Sequence, residues 1–393
     1  MVYSKRPMAR RGGHRGGYRQ AMSGDLDYQM YGMPAPIVRT VYDYTLDKPK
    51  FEGARNAVDV GFDKEIMDRA ANLTPPLEIR NRINDYTKKV ITALEKEREE
   101  ITLKEISISH VLQCGSFVTD TATHSSDKSD ILVKLIGLPS HENMTELGNK
   151  IVENMKMMDP KETGLSLPTD TGFEICSHNC KVRVLVTINP QDSEKLEPEL
   201  HLDMTKLKIN YFSGNHVLWF ITQNKAMTPE FMKEYLALIR VLKDIRSRYS
   251  DFQNLSIWSL QYLAYYCLLN GPNRQKINVG IAFRRFFELL AAGILLPKAP
   301  TLCDPTEPMH PIGFDLTAPQ MDSICQGAQT LVRIFATGTD GYRAILGTQG
   351  TAADLTQTAS TWKGIEIRPN IDAYKPGCMD PLPPANSEEM PVV

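Results

Sequence analysis

The sequence predicts an α+β fold: a mixed-sheet lobe, an all-helical lobe behind it, and a disordered basic arm in front. Three observations predict it. Between residues 106 and 188, apolar runs with a period of two alternate with a run of three- and four-residue spacing, the pattern of strands with helices packed against them. From about Thr205 helix follows helix, entered by signals such as Thr228-Pro229. The first twenty residues carry Lys5, Arg6, Arg10, Arg11, Arg15 and Arg19 among glycines, with no acid. The resulting division is an arm at 1–33, a sheet lobe at 34–204, a helical lobe at 205–375 and a flexible tail at 376–393.

In the arm, Arg10, Arg11, Arg15 and Arg19 sit among glycines and Tyr18. Guanidinium groups follow a nucleic-acid backbone and stack on bases with little sequence preference, so these arginines are the candidate nucleic-acid contacts. A solubilising tail is the plain alternative. Residues 42–70 read as mixed, a lead-in strand or loop and a short helix. Thr74-Pro75-Pro76 then places proline in the first turn of a long amphipathic helix, where Ile79, Ile83, Tyr86, Val90 and Leu94 recur every three or four residues. Ile106 and Ile108 alternate into a strand that ends at Gly115-Ser116, and a second strand covers 130–136. A helix over about 143–158 carries Leu147, Ile151, Val152 and Met155 on one side, and Asp159-Pro160 stops it. Strands at 173–176 and 182–188 complete the sheet lobe.

In the helical lobe, Phe231, Tyr235, Leu238, Leu242 and Ile245 mark one helix. Residues 255–269 form a second that is apolar nearly all round and must be covered on every side, by its own lobe or by a partner. Residues 279–294 form a third and 322–337 a fourth, with a proline-rich connector over 297–319. In the third helix, Phe283, Phe286 and Phe287 lie on one flank and Arg284 and Arg285 on the other. Two adjacent phenylalanines are hard to bury within one small lobe, and Arg and aromatic side chains anchor interfaces. These five residues are therefore the candidate partner interface.

With 393 residues and 42% hydrophobic content, the chain is long and apolar enough for a substantial core. Its net charge is only −2, so the arm is the one strong charge asymmetry. Seven scattered cysteines argue against a disulfide scaffold and for a reducing compartment. No run of eighteen apolar residues and no signal-peptide h-region is present, so a soluble intracellular protein is expected. Cys176-x-His178-x-Cys180 supplies three metal-type side chains with no fourth nearby, which favours a turn with incidental cysteines; no metal is expected. Neither a G-x-S-x-G elbow nor a P-loop nor a G-x-G-x-x-G occurs.

The stretch that carries chemistry is 111–137: strand, Gly115-Ser116, polar loop, strand. Gly lacks a Cβ, so backbone N–H groups and the Ser116 hydroxyl can approach a phosphate. The next strand should then offer two carboxylates at i and i+2, on one face, to hold a pair of divalent cations. It offers Asp130 and then Leu132. Asp127 has the wrong spacing, residues 181–188 contain no acid, and Glu174 lies on the preceding stretch. The acids for two-metal clamping are missing, and no catalytic residue is assigned.

A Gly-Ser followed about a dozen residues later by an acid between apolar residues resembles the nucleotidyltransferase signature. LIRVLKDIR at 238–246 and the Trp-containing helix after it resemble the helical lobe of oligoadenylate synthetases. The ordered set QCGS, SDILVKLIG, ELGNKIVENMK, TGFEI, LEPELHLD, LIRVLKDIRSRY, AAGILLP, AQTLVRIF and ILG resembles the DZF domain, the domain associated with zinc fingers, over about residues 40–375. That resemblance implies a nucleotidyltransferase-like fold that has lost catalysis and pairs through its helical lobe. The implied partners are a larger DZF-domain nuclear factor with double-stranded-RNA-binding domains, and DZF proteins of the zinc-finger RNA-binding and spermatid perinuclear RNA-binding types. RNA or DNA would be reached mainly through the partner, in the nucleus and also in the cytoplasm, with no membrane role. By motif position, Gly115 and Ser116 match the phosphate turn, Asp130 the first metal carboxylate and Lys243 the lysine that reaches a triphosphate, a vestigial nucleotide pocket. No cofactor is expected beyond residual binding of ATP or another nucleoside triphosphate. The competing expectation is an active template-independent RNA nucleotidyltransferase that uses Asp130 with a non-standard second acid such as Glu174.

Overall fold

The computed structural model describes residues 56–271, 274–299, 302–336, 338–348, 360–362 and 365–367. The predicted arm with Arg10, Arg11, Arg15 and Arg19, and the predicted tail, lie outside the described residues.

Five strands build the sheet: β1 (Ser107–Cys114), β2 (Lys128–Ile136), β3 (Leu165–Thr169), β4 (Gly172–Cys176) and β5 (Lys181–Thr187). Their order is β1-β2-β5-β4-β3, with β2 and β5 parallel and the other neighbours antiparallel. A parallel pair needs a long crossover, and α4 (His141–Met158) with the β3-β4 hairpin supplies it. One face of the sheet, carrying Ile131, Val133, Val182, Val184, Phe173 and Ile175, packs against α2 (Leu77–Glu100) and α4 and forms the main core. Ser140 caps α4 by accepting a hydrogen bond from the Asn143 N–H at 3.0 Å, and the helix begins at His141, two residues before the predicted start.

Strand β3 escaped the sequence reading. It contains Pro168, which cannot donate to a ladder and is tolerated here because β3 is the sheet edge. The Cys176-x-His178-x-Cys180 stretch is the turn between β4 and β5, closed by Ser177 N–H to the Cys180 carbonyl at 2.9 Å.

The helical lobe contains α5 (Met204–Ala226), α6 (Pro229–Arg248), α7 (Ile257–Leu268), α8 (Val279–Ala291), α9 (Ala318–Phe335) and α10 (Thr339–Leu346). Thr228 caps α6 through the Phe231 N–H, with Pro229 at the first position as the sequence indicates. The apolar α7 is the lobe's interior helix, with Leu260, Leu263, Ala264, Cys267 and Leu268 buried. The proline-rich connector is anchored rather than loose: the buried Asp304 carboxylate accepts from Trp258 Nε1 at 2.7 Å and from the Thr306 N–H at 2.8 Å, and pairs with His216 Nε2 at 2.9 Å.

One helix corrects both the domain boundary and the interface assignment. The mixed region ends in α1 (Asn56–Leu73), which packs on α6, α8 and α10 of the helical lobe, although it precedes the sheet lobe in the chain. Arg69 pairs with Asp244 at 3.0 Å, Glu65 with Arg343 at 2.8 Å, and the Asp63 carboxylate accepts from the Gly280 N–H at 2.7 Å. Phe62 inserts between Phe283, at a ring-centroid distance of 6.0 Å, and Tyr342, at 4.8 Å. Phe283, Phe286 and Phe287 are consequently core residues, 0%, 2% and 1% exposed, with Phe335 of α9 on Phe283 and Phe287 and Phe252 on Phe287. Arg284 and Arg285 are also turned in, each pairing with the buried Glu288 at 3.1 and 3.4 Å. The apolar width read as surplus is covered by the chain's own α1 and α9.

Candidate functional site

The cleft face of the sheet begins where β1 ends. Gly115 follows Cys114 with φ of +76°, in the left-handed region, and a Cβ on it would stand 2.2 Å from Asp130 Oδ2. Only glycine allows the chain to turn that close to the carboxylate. A single helical turn, α3 (Gly115–Val118), holds half-buried Ser116 beside the carboxylate strand.

Strand register lays the site out in rungs. Asp130 is opposite Cys114 on β1 and Arg183 on β5, and Arg183 is opposite Glu174 on β4. Arg183 Nε donates to Asp130 Oδ1 at 2.8 Å, and Lys128 Nζ donates to Glu174 Oε1 at 2.8 Å. Two residues on, where side chains return to the same face, the rung is Leu112, Leu132 and Leu185. These pack with Cys114 and Val217, and α5 crosses so tightly that a Cβ on Gly214 would meet Leu132 at 2.6 Å. Leu132, the missing-carboxylate position, is 7% exposed in an aliphatic cluster.

Burial pushes the Asp130 carboxyl above the ordinary carboxylate range, while Arg183, then Lys128 and Lys243, pull it back. Burial, followed by the Asp130 charge, raises the Cys114 thiol.

From the helical lobe, α6 brings two cations onto the loop after Gly115-Ser116. Lys243 Nζ donates to the Thr121 carbonyl at 2.8 Å, and burial, followed by repulsion from Arg240, lowers its pKa to about 8. Arg240 donates to the Asp120 and Ala122 carbonyls and to Asp120 Oδ1 at 3.0 Å. Arg80 of α2 donates to the same carboxylate oxygen at 2.7 Å. Asp120 has φ of +52°, a left-handed conformation that these two guanidinium groups hold in place.

Gly115 packs against Asp130, Lys243 lies near enough to act on that carboxylate, and Leu132 sits on the next rung of the same face, whereas the phenylalanine cluster of α8 lies apart in the core. Sequence reasoning missed Arg183, Arg240, Arg80 and Asp120. Arg183 had a signal: in KVRVLVTI the period of two puts it on the face where a third acid was sought.

The residues present do not fit a pair of divalent cations. Both same-face positions of β5 beside Asp130 and Leu132 are non-acidic, Arg183 and Leu185. Glu174 is one strand too far, with Arg183 between it and Asp130 and with Lys128 bound to it. Among the described residues, no three His, Cys, Asp or Glu side chains converge to hold a metal ion. Ser116 stays half-buried at the turn, while Lys128 and Lys243 are bound to Glu174 and to the Thr121 carbonyl.

Comparison with known proteins extends this geometry. The chain matches the DZF N-terminal domain over residues 26–225 and the DZF C-terminal domain over residues 234–368. Among solved structures it is similar to a chain of the CdnC:HORMA-deltaN complex of E. coli MS115-1, at 14% identity and a TM-score of 0.51, covering 77% of this chain and 98% of that one. It is similar to CdnC with ATP from the same strain at 13% identity and a TM-score of 0.50, covering 72% and 97%. The Cid1 poly(U) polymerase bound to Mg 3′-dATP is similar at 11% identity and a TM-score of 0.46, covering 70% and 94%. Likeness at such identities concerns the fold, which is nucleotidyltransferase-like.

Proposed function

Since the chain belongs to the DZF family, we propose that it is a non-catalytic nucleotidyltransferase-like subunit that pairs with a second DZF protein, one carrying double-stranded-RNA-binding domains. Its place is a nuclear ribonucleoprotein complex that regulates transcription and RNA processing or translation, and its motif order resembles the smaller subunit of such a pair. The observation that supports the catalytic part of this reading is the occupancy of the acid positions by Leu132, Arg183 and Leu185. Two-metal phosphoryl chemistry requires carboxylates that clamp both the attacking and the leaving oxygen, and a single carboxylate already bound to a guanidinium cannot do so. No cofactor is assigned to the subunit.

The partner face excludes the α8 phenylalanines, because those side chains are committed to the chain's own core. The nucleic acid is reached mainly through the partner.

Two measurements test the reading. Full chain, alone and with a DZF partner, is incubated with labelled nucleoside triphosphates, an RNA primer and Mg²⁺ or Mn²⁺. No incorporation should depend on Asp130, and Asp130-dependent incorporation would restore the alternative of an RNA-tailing enzyme. Co-purification with the partner should persist after nuclease and high salt; a stable monomer that ignores DZF proteins would end the subunit reading.

A further inference from the structure

We propose that Arg183 is the resident cation of the cleft, its guanidinium standing in for the divalent ion that a nucleotidyltransferase-type site would hold against the first carboxylate. The sheet dictates the placement. Parallel pairing of β2 with β5 sets Arg183 directly beside Asp130 on the cleft face, and Nε reaches Oδ1 at 2.8 Å. The other oxygen of the carboxylate is pressed against the Gly115 turn, where not even a methyl group fits. An ion arriving at Asp130 would therefore have to displace the guanidinium, and it would meet only leucines on the next rung. A divalent cation demands several oxygens, whereas a guanidinium satisfies one carboxylate through directed N–H donors.

The side chains are 15% exposed for Asp130 and 37% for Arg183. The carboxylate is thus largely taken out of water, and a carboxylate in that position needs a compensating positive charge. Without Arg183 the nearest cations are engaged elsewhere: Lys128 with Glu174 and Lys243 with the Thr121 carbonyl. Arg183 is what offsets the charge of Asp130 on the cleft face and keeps the Gly115 turn in place. This goes beyond the absence of catalysis, since it assigns a function to the residue that stands where a third acid was sought, and it does not depend on the proposed partnership.

The test uses full chain and Mn²⁺, read by electron paramagnetic resonance and by the thermal midpoint. Wild type should take up no Mn²⁺ in a manner that Asp130→Asn abolishes, and its midpoint should not respond to millimolar Mn²⁺. Arg183→Ala should melt earlier than wild type and regain part of the loss when Mn²⁺ is added, while Asp130→Asn/Arg183→Ala should not respond. Leu132→Asp/Arg183→Asp, which restores acids on both rungs, should bind Mn²⁺ at least about tenfold more tightly than Arg183→Ala, as ligand charge count dictates. Asp130-dependent Mn²⁺ binding by wild type would overturn the proposal. So would an Arg183→Ala protein with the midpoint and Mn²⁺ response of wild type. If Arg183→Ala does not fold, wild type against Asp130→Asn still decides, because binding lost in Asp130→Asn refutes metal exclusion and its absence supports it.

Discussion

The two faces of the sheet are built on different rules. The face toward α2 and α4 is continuous hydrocarbon, with Ile131, Val133, Phe173, Val182, Val184 and Val186 fully buried. The cleft face alternates a charged rung, Asp130-Arg183-Glu174, with an aliphatic rung, Leu112-Leu132-Leu185. Because side chains alternate strictly along a strand, substitutions on one face leave the other untouched. Leucine and arginine can therefore stand on the cleft face without disturbing the packing of α2 and α4 on the other. Fold and chemistry are separable here because they sit on opposite sides of the same five strands.

The contrast makes its strongest demand on the core face. Phe173→Ala removes a side chain with 0% exposure and should cost about 3–5 kcal/mol, read as a lower urea midpoint. Phe286→Ala in α8 should cost a similar amount, about 3–5 kcal/mol, and lower partner capture only in step with unfolding. Selective loss of the partner by a fully folded Phe286→Ala protein would return that residue to an interface.

On the cleft face the expected losses are smaller. Arg183→Ala leaves a largely buried carboxylate unpaired and should cost about 1–3 kcal/mol, less than a fully buried pair because the arginine is partly solvated. Gly115→Ala combines a left-handed backbone with a Cβ that would collide with Asp130 Oδ2, so it should destabilise by about 1–3 kcal/mol. In an Asp130→Ala background the clash with Oδ2 is gone, leaving the backbone strain and a tight 3.1 Å approach to the remaining Cβ, so the cost should fall. If Gly115→Ala costs the same in both backgrounds, the close approach of turn and carboxylate is not a constraint.

How far the sequence revealed these faces follows from the range of the interactions. The strands on either side of Gly115-Ser116 were legible because a period of two and a glycine turn are local signals, and α6 because Thr228-Pro229 is a local cap. The absence of an acid at Leu132 was equally plain, since i and i+2 on one strand need no tertiary knowledge. The role of Arg183 was not, because the pairing of β2 with β5 spans 53 residues and the reading of β5 looked for acids only. The helix α1 carries Phe62, Ile66, Ala70 and Leu73 at helical spacing, so its existence was readable; its docking on α8 was not. That one omission made three core phenylalanines look like surplus surface.

A last expected effect, of the same order as the losses on the cleft face, is a pH dependence carried by Lys243. Lys243 titrates at about 8 in the folded chain, because burial and then Arg240 disfavour its charge, against 10.5 for an unperturbed lysine. Between those values the unfolded chain binds more protons than the folded one, so stability rises with pH as this residue titrates. Below about 8 the lysine is charged in both states and the desolvation cost is carried in full. Lys243→Met removes that cost together with the hydrogen bond to Thr121. Wild type should therefore gain on Lys243→Met as pH climbs from about 7 to about 10, by about 1–3 kcal/mol, measured as the difference in urea midpoints. The main-core variant Phe173→Ala should run parallel to wild type over the same range, since its burial involves no proton. A flat difference for Lys243→Met would mean that the lysine is solvated and that the loop over the Gly115 turn stands open rather than pressed between the two lobes.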